Sequence, residues 1–361
     1  MKIERKGLVG THTRTIGDRS MVKYKAIDLF AGIGGVRLAF QTAFGDEIEF
    51  VFSSEIYAPA KTVYEANFST LPEGDITEIK PEDVPEHDIL LAGWPCQSFS
   101  IAGRQEGFRD PRGNLFFAIA NILETKRPRA FLLENVWYLT QHDRGRTFKT
   151  IMKILQEDLN YTIYYSLLNA KYYGVPQNRP RIFIAGFNEP IKFAFPPPNE
   201  KIPKLHDILE KNVPEKYFLS QMYLNGLKKH RERHEKKGHG FGYVVLDSDG
   251  VAHTLVIGGM GRERNLIKNT PSKKAYTVHG DDLKKPNREG IRKLTPRECA
   301  RLMGFPDEFK LPIANTYAYR VLAESVAVPL VKQIATQMKR SLDVKEPRGL
   351  WNWIENTNRL A

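Results

Sequence analysis

The sequence predicts an α/β fold: an open sheet with helices on both sides, followed by a second, smaller domain. Two observations carry that reading. Residues 26–200 alternate near-continuous apolar runs with stretches whose apolar residues recur at helical spacing, the pattern of strands buried on both faces and joined by helices. The texture then changes. Pro196-Pro197-Pro198 breaks regular structure, and the residues that follow are irregular, basic and rich in glycine, with Gly238, Gly240, Gly242, Gly258, Gly259 and Gly261.

The strand candidates, in order, are Ala26–Phe30, Phe50–Glu55, Asp88–Gly93, Ala130–Val136, Tyr161–Ala170 and Arg181–Phe187. Between them, Leu115, Phe116, Ile119, Ile122 and Leu123 share one helical face, as do Phe148, Ile151, Met152, Leu155 and Leu159. Late in the chain, Thr295-Pro296-Arg297-Glu298 opens a helix ending at Gly304. A last helix carries Val328, Val331, Ile334, Ala335 and Met338 on one face, which needs a partner in the first domain.

A length of 361 residues suits about two domains at roughly 100–200 residues each. The two cysteines, Cys96 and Cys299, are too few for a disulfide framework or a cysteine-rich zinc site, and no metal is expected. No apolar stretch approaches the roughly 18 residues of a membrane span. The polar, basic stretch Met1–Lys25 lacks the apolar core of a secretory signal, so a cytoplasmic protein is expected. The formal net charge is +12, and Lys201 to Arg301 holds 22 Lys and Arg against 12 Asp and Glu. Such a surface suits a polyanion, although a soluble protein that is merely basic has the same composition.

Four stretches carry chemistry. In Asp28-Leu29-Phe30-Ala31-Gly32-Ile33-Gly34-Gly35 a strand runs into a glycine-rich turn and then a helix. Such a turn lets a ligand approach the backbone near the positive end of the helix. Glu55 closes the next strand, where it could bind a ribose hydroxyl, and Asp75 follows in Gly74-Asp75-Ile76-Thr77. The set points to a nucleoside-containing cofactor; a tight turn that only packs a helix on a sheet uses the same residues. Next, Gly93-Trp94-Pro95-Cys96-Gln97-Ser98-Phe99-Ser100 places Cys96 at the carboxyl end of a strand, the edge where open α/β sheets bind ligands. Cys96 is a candidate nucleophile or a small buried hydrophobe. Cys299, beside Ala300 and Leu302, reads as helix packing.

In the third stretch, Glu134 ends the apolar strand Leu132-Leu133-Glu134-Asn135-Val136. Burial there would raise its pKa and suit a proton carrier; a solvated strand-end glutamate is the alternative. The fourth, Gln177-Asn178-Arg179-Pro180-Arg181, sets two arginines before a strand. Fixed guanidinium groups suit an anionic or carbonyl ligand, and a surface pair is the bland reading.

Taken in order, these stretches resemble the cytosine carbon-5 DNA methyltransferases, as does Arg292-Lys293-Leu294-Thr295-Pro296-Arg297-Glu298-Cys299-Ala300-Arg301-Leu302-Met303-Gly304-Phe305-Pro306. The likeness spans roughly Ala26 to Met338. It implies a Rossmann-like, largely parallel sheet that binds S-adenosylmethionine, and a target-recognition domain. The expected divisions are an extension (1–22), a catalytic domain (23–197), a target-recognition domain (198–287), C-terminal motifs returning to the catalytic domain (288–345) and a tail (346–361). The resemblance further implies that Phe30, Gly32, Gly34, Glu55, Asp75, Ile76, Leu115 and Ser325 line the cofactor site. Cys96 becomes the nucleophile, Glu134 contacts the Watson–Crick edge of cytosine, and Arg179 and Arg181 hold the active site and the base.

The implied chemistry explains these residue types. Carbon 5 of cytosine is a weak nucleophile until a thiolate adds at carbon 6. A protonated Glu134 can donate to ring nitrogen 3, and the base must first be flipped out of the duplex. Ser100–Arg112, with Gly103 and Gly107, is expected to close over DNA. Gln97, Ser100 and Arg104 are expected DNA contacts, with Arg262 and Arg264 as readers because arginine pairs well with guanine; a plain surface loop remains the alternative for that stretch. Lys228–Lys237 alternates in sign and reads as a solvated helix face near DNA.

The expected partner is double-stranded DNA, with a restriction endonuclease as a functional counterpart and a monomeric enzyme. One departure stands out: Ala323-Glu324-Ser325-Val326 replaces the family's usual Gly-Asn-Ser-Val. Two rival readings are an RNA methyltransferase of the same chemistry and a DNA-binding regulator without catalysis. The long basic insert favours DNA, and intact Cys96, Glu134 and Arg181 favour catalysis.

Overall fold

The structure, a computed structural model, describes residues 22–95, 115–238, 242–256, 263–269 and 286–344. Its first part contains β1 (Tyr24–Leu29), α1 (Gly35–Phe44), β2 (Ile48–Ser54), α2 (Ala58–Phe68), β3 (Ile89–Gly93), α3 (Leu115–Lys126), β4 (Ala130–Val136), α4 (Arg146–Lys153), β5 (Thr162–Asn169), β6 (Gln177–Asn178) and β7 (Pro180–Phe187). Six strands form one sheet in the order β2-β1-β3-β4-β7-β5. Pairs within β2-β1-β3-β4 are parallel, and β7 lies antiparallel between β4 and β5. The six predicted strands are therefore present. β1 and β2 start earlier than predicted, at Tyr24 and Ile48, and β1 ends before Phe30, whose φ of 54° turns the chain away.

The pleat sorts side chains by alternation. Ala26, Ile89, Leu91, Ala130, Leu132, Phe183 and Ala185 join one core, on the face covered by α1. Ile27, Leu29, Leu90, Ala92, Phe131, Leu133, Ile182 and Ile184 join the other, with Phe116, Ile119 and Leu123 of α3. After α4 a single π turn, Ile154–Asp158, keeps Leu155 and Leu159 on the buried face.

The second part holds α5 (Gln221–Glu235), β8 (Val245–Leu246), β9 (Ala252–His253), β10 (Leu266–Lys268) and β11 (Ile291–Lys293). A three-stranded sheet, β11-β10-β8, packs with α5 around Leu219, Leu224, Leu227, Leu266 and Ile291. β9 pairs with β6, tying this part to the chain just ahead of β7.

Three helices follow: α6 (Pro296–Leu302), α7 (Asn315–Glu324) and α8 (Val328–Asp343). Thr295 caps α6 and Glu298 reciprocates in a capping box. The Glu298 carboxylate also receives both terminal nitrogens of Arg292, each at 2.7 Å, and the pair is fully buried. The apolar face of α8 returns to the first core, where Val328, Val331, Ile334, Ala335 and Met338 are all buried. Full burial of such larger aliphatic side chains contributes about 1.5–3 kcal/mol each. Cys299 packs in the same core, and burial pushes its thiol pKa far up. No described helix is long and apolar enough to cross a membrane.

Candidate active site

The parallel strands β1 to β4 all end at one edge of the sheet, and β7, running the other way, begins there. The glycine-rich turn, Glu55, Gly93 and Glu134 therefore share one edge of the sheet with Arg181. In register, Gly93 lies opposite Glu134, and Val136 lies opposite Arg181.

At the β1 end, Ala31 N–H donates to the Ser54 carbonyl at 2.9 Å. The Glu55 carboxylate accepts from Gly32 N–H at one oxygen and from Tyr57 N–H at the other, each at 2.8 Å. Glu55 thus fixes the turn and keeps lone pairs for further donors. A Cβ on Gly32 would meet nothing within 4 Å, and its φ is +56°. The position is an open cradle at the backbone, as close approach of a ligand requires. Gly34 differs: at φ +83° its Cβ would stand 2.1 Å from the Phe68 ring. Asp75 spends one oxygen on Thr77 N–H at 2.9 Å and on the Thr77 hydroxyl at 2.8 Å, capping the turn that holds buried Ile76. Phe30 and Leu115 are half-buried. Ser325 is buried against the glycine-rich turn, its hydroxyl 2.7 Å from where a Gly35 Cβ would sit.

Glu324 stands next to Ser325 as an exposed carboxylate. It pairs with Arg320 Nε at 3.3 Å, and that guanidinium lies 4.1 Å over the Tyr57 ring. The acid in place of the family's amide is thus braced across to the loop that carries Glu55. Burial raises the Glu324 pKa, Arg320 opposes the rise and Glu55 adds to it.

At the β4 end, Glu134 Oε1 lies 3.0 Å from Arg181 Nε, both side chains largely buried. Its other oxygen lies 3.4 Å from the position of a Gly93 Cβ, against the end of β3. Burial raises the Glu134 pKa, while Arg181 and Arg179 pull against the rise. Asn135 Nδ2 donates to the Trp94 carbonyl at 2.9 Å and ties β4 to the chain leaving β3. Arg179 is fully buried and donates to the backbone carbonyls of Ala323 at 2.9 Å, Ser325 at 2.5 Å and Leu255 at 3.4 Å. It cross-braces the Ser325 segment, whereas Arg181 faces the carboxylate.

The edge therefore brings together the Glu55 turn, Ser325, Glu134 and Arg181. Cys96, Gln97, Ser100, Arg104 and Arg262 lie outside the described residues. Arg264 is exposed between two anchored neighbours: Glu263 accepts from the Tyr223 hydroxyl at 2.7 Å, and Asn265 bonds both backbone groups of His253. Asp28 belongs to the site's foundation although the motif reading gave it no role. It is buried beneath the glycine-rich turn, and burial holds its carboxyl well above the usual range. An aspartate inside an otherwise apolar strand run was the signal that marked it. Among the described residues no cluster of His, Cys, Asp and Glu could hold a metal ion.

A mostly parallel sheet with one antiparallel strand, a glycine-rich turn braced by an acid and a buried acid–arginine pair define a methyltransferase-type α/β enzyme. Residues 24–340 match the family described as C-5 cytosine-specific DNA methylase. The Type II methyltransferase M.HpaII of Haemophilus parainfluenzae is 49% identical over 330 residues, covering 89% of this chain and 90% of that protein. The Type II methyltransferase M1.ScrFI of Lactococcus lactis subsp. cremoris is 43% identical, covering 90% and 80%. Among solved structures, a methyltransferase of Entamoeba histolytica superposes with a TM-score of 0.70 at 19% identity, covering 89% of this chain and 99% of that one. The Dnmt2 methyltransferase of S. pombe gives 0.66 at 18%, covering 89% and 100%. The chain belongs to the C-5 cytosine-specific DNA methylases, enzymes that depend on S-adenosylmethionine in general. It is a DNA cytosine-5-methyltransferase of the restriction–modification type.

Proposed function

We propose that this chain uses Cys96 and Glu134 as one catalytic unit on a flipped cytosine in duplex DNA, with S-adenosylmethionine held at the glycine-rich turn. The observation that carries the reading is the Glu134 carboxyl itself. It is largely buried, paired with Arg181 and set against Gly93, three residues ahead of Cys96.

The residues at the turn fit the cofactor. The open cradle at Gly32 admits a ligand against the backbone, and the spare lone pairs of Glu55 suit ribose hydroxyls. Phe30, Gly34, Asp75, Ile76, Leu115 and Ser325 complete the proposed pocket. S-adenosylmethionine bound there supplies an electrophilic methyl group.

Cys96 thiolate adds to carbon 6 of cytosine, which makes carbon 5 nucleophilic. Glu134, its pKa raised by burial against the pull of Arg181 and Arg179, donates a proton to nitrogen 3 and absorbs the charge that develops on the ring. Arg181 fixes the carboxyl in place, and Arg179 holds the Ser325 segment against the turn. Once carbon 5 has taken the methyl group, its proton passes to a water, the carbon 6–sulfur bond breaks to release Cys96 as thiolate, and the nitrogen-3 proton returns to Glu134, which restores the aromatic ring.

Residues 198–287 are proposed as the target-recognition domain, with Arg262 and Arg264 reading bases and Gln97, Ser100 and Arg104 contacting DNA. A monomeric, cytoplasmic enzyme paired with a restriction endonuclease completes the proposal. Bisulfite sequencing of DNA from cells expressing the protein tests it. Protected cytosines within one short recurring sequence are expected, and conversion of every cytosine would refute the reading.

A further inference from the structure

The loop between β4 and α4 begins three residues after Glu134 and packs against β7, the strand that starts at Pro180 beside Arg181. It therefore sits on the rim of the proposed site. Its foundation is firm. Leu139 is fully buried, His142 Nδ1 lies 2.7 Å from the hydroxyl of buried Thr147, and Asp143 pairs with Arg146. What it presents outward is unusual for a surface turn. Trp137 and Tyr138 are 39% and 53% exposed, with rings edge to face at 6.1 Å.

Next comes a left-handed run. Asp143 and Arg144 have φ of 50° and 55°, and Gly145 follows at 80°. Left-handed backbone costs a non-glycine L-residue about 1–2 kcal/mol, and such strain gathers where function over-determines a conformation. The run carries Arg144 outward. Arg144 is exposed and makes no hydrogen bond or ion pair among the described residues, because the only carboxylate on the turn is engaged by Arg146.

A cation carried on a fixed backbone, in the same short loop as two exposed aromatic rings and beside a site that must receive a nucleotide, has the chemistry of a sugar–phosphate clamp. We propose that the loop Trp137–Arg146 is a DNA-contacting element on the catalytic side of the cleft. Arg144 binds a backbone phosphate next to the extruded nucleotide, and Trp137 and Tyr138 pack on the adjoining sugars. This surface adds to the one expected from the basic insert, and it contacts the backbone independently of sequence.

The two halves of the clamp differ in their response to salt. A phosphate contact releases counterions, so removing it lowers the slope of log affinity against log salt by about 0.9. An aromatic contact is not screened. The test is duplex binding by the full chain, titrated from roughly 50 to 200 mM salt, where phosphate contacts dominate the change. Arg144→Asn removes the charge, and asparagine tolerates the left-handed backbone; Arg144→Lys keeps the charge. The expected result is a slope shallower by about 0.9 for Arg144→Asn, a wild-type slope for Arg144→Lys, and an affinity loss of roughly fivefold or more at unchanged slope for Trp137→Ala. A wild-type slope in Arg144→Asn, or wild-type affinity in Trp137→Ala, would overturn the proposal.

Discussion

Glu134 Oε1 and Arg181 Nε stand 3.0 Å apart although one residue lies near the end of a strand and the other near the start of another. They meet because β7 runs against β4, which brings the start of one strand to the finish of the other. The arginine holds a largely buried carboxyl in one orientation while burial keeps its pKa up, as a proton donor to a base requires.

Glu134→Gln should keep the shape of the side chain and lose its proton transfer. With saturating DNA and cofactor, turnover by labelled-methyl transfer is expected to fall about 10²- to 10⁴-fold. DNA affinity at fixed salt should stay within a few-fold of wild type. Turnover close to wild type would remove Glu134 from the chemistry.

The two glycines of the turn make opposite predictions. Gly32→Ala meets open space and pays only for its left-handed backbone, about 1–2 kcal/mol. It should fold and lose cofactor affinity by calorimetry, since the methyl group occupies the cradle. Gly34→Ala adds a collision with the Phe68 ring to the same strain. Its thermal unfolding midpoint is expected to drop well below that of Gly32→Ala.

Asp343 closes α8 onto the start of β1. Partial burial works to raise its pKa, but hydrogen bonds from Lys23, Lys339 and the Tyr24 hydroxyl outweigh burial and hold it far below the usual carboxyl range. A depressed folded-state pKa stabilises above the unfolded value, and that gain is lost as pH falls toward the folded one. Asp343→Asn should lower the melting temperature by about 1–3 °C at neutral pH, a small effect because the pair is partly solvated. The gap from wild type should close as pH falls below about 3.

Much of this architecture was legible because it is local. The apolar runs marked six strands, and the capping pair Thr295 and Glu298 marked the start of α6. The glycine-rich turn announced itself by composition. The placement of β7 between β4 and β5 was not legible, since it depends on pairing between distant segments. Short β8, β9 and β10 exist through such long-range pairing too. α2 escaped because it buries little, chiefly Ala60, Val63 and Tyr64. The two arginines before β7 read alike in sequence. The fold separates them, as Arg179 precedes the strand and turns to the carbonyls of Ala323 and Ser325 while Arg181 lies on the strand beside Glu134.

The central claim is a transient bond from Cys96 to a cytosine steadied by Glu134. DNA carrying 5-fluorocytosine at the target position tests it most directly, because fluorine cannot leave as the proton does and the adduct stays closed. The expected result is a protein–DNA band that survives denaturing electrophoresis, requires S-adenosylmethionine and vanishes in Cys96→Ser. The same band persisting in Cys96→Ser, or no band from the active wild-type enzyme, would contradict it.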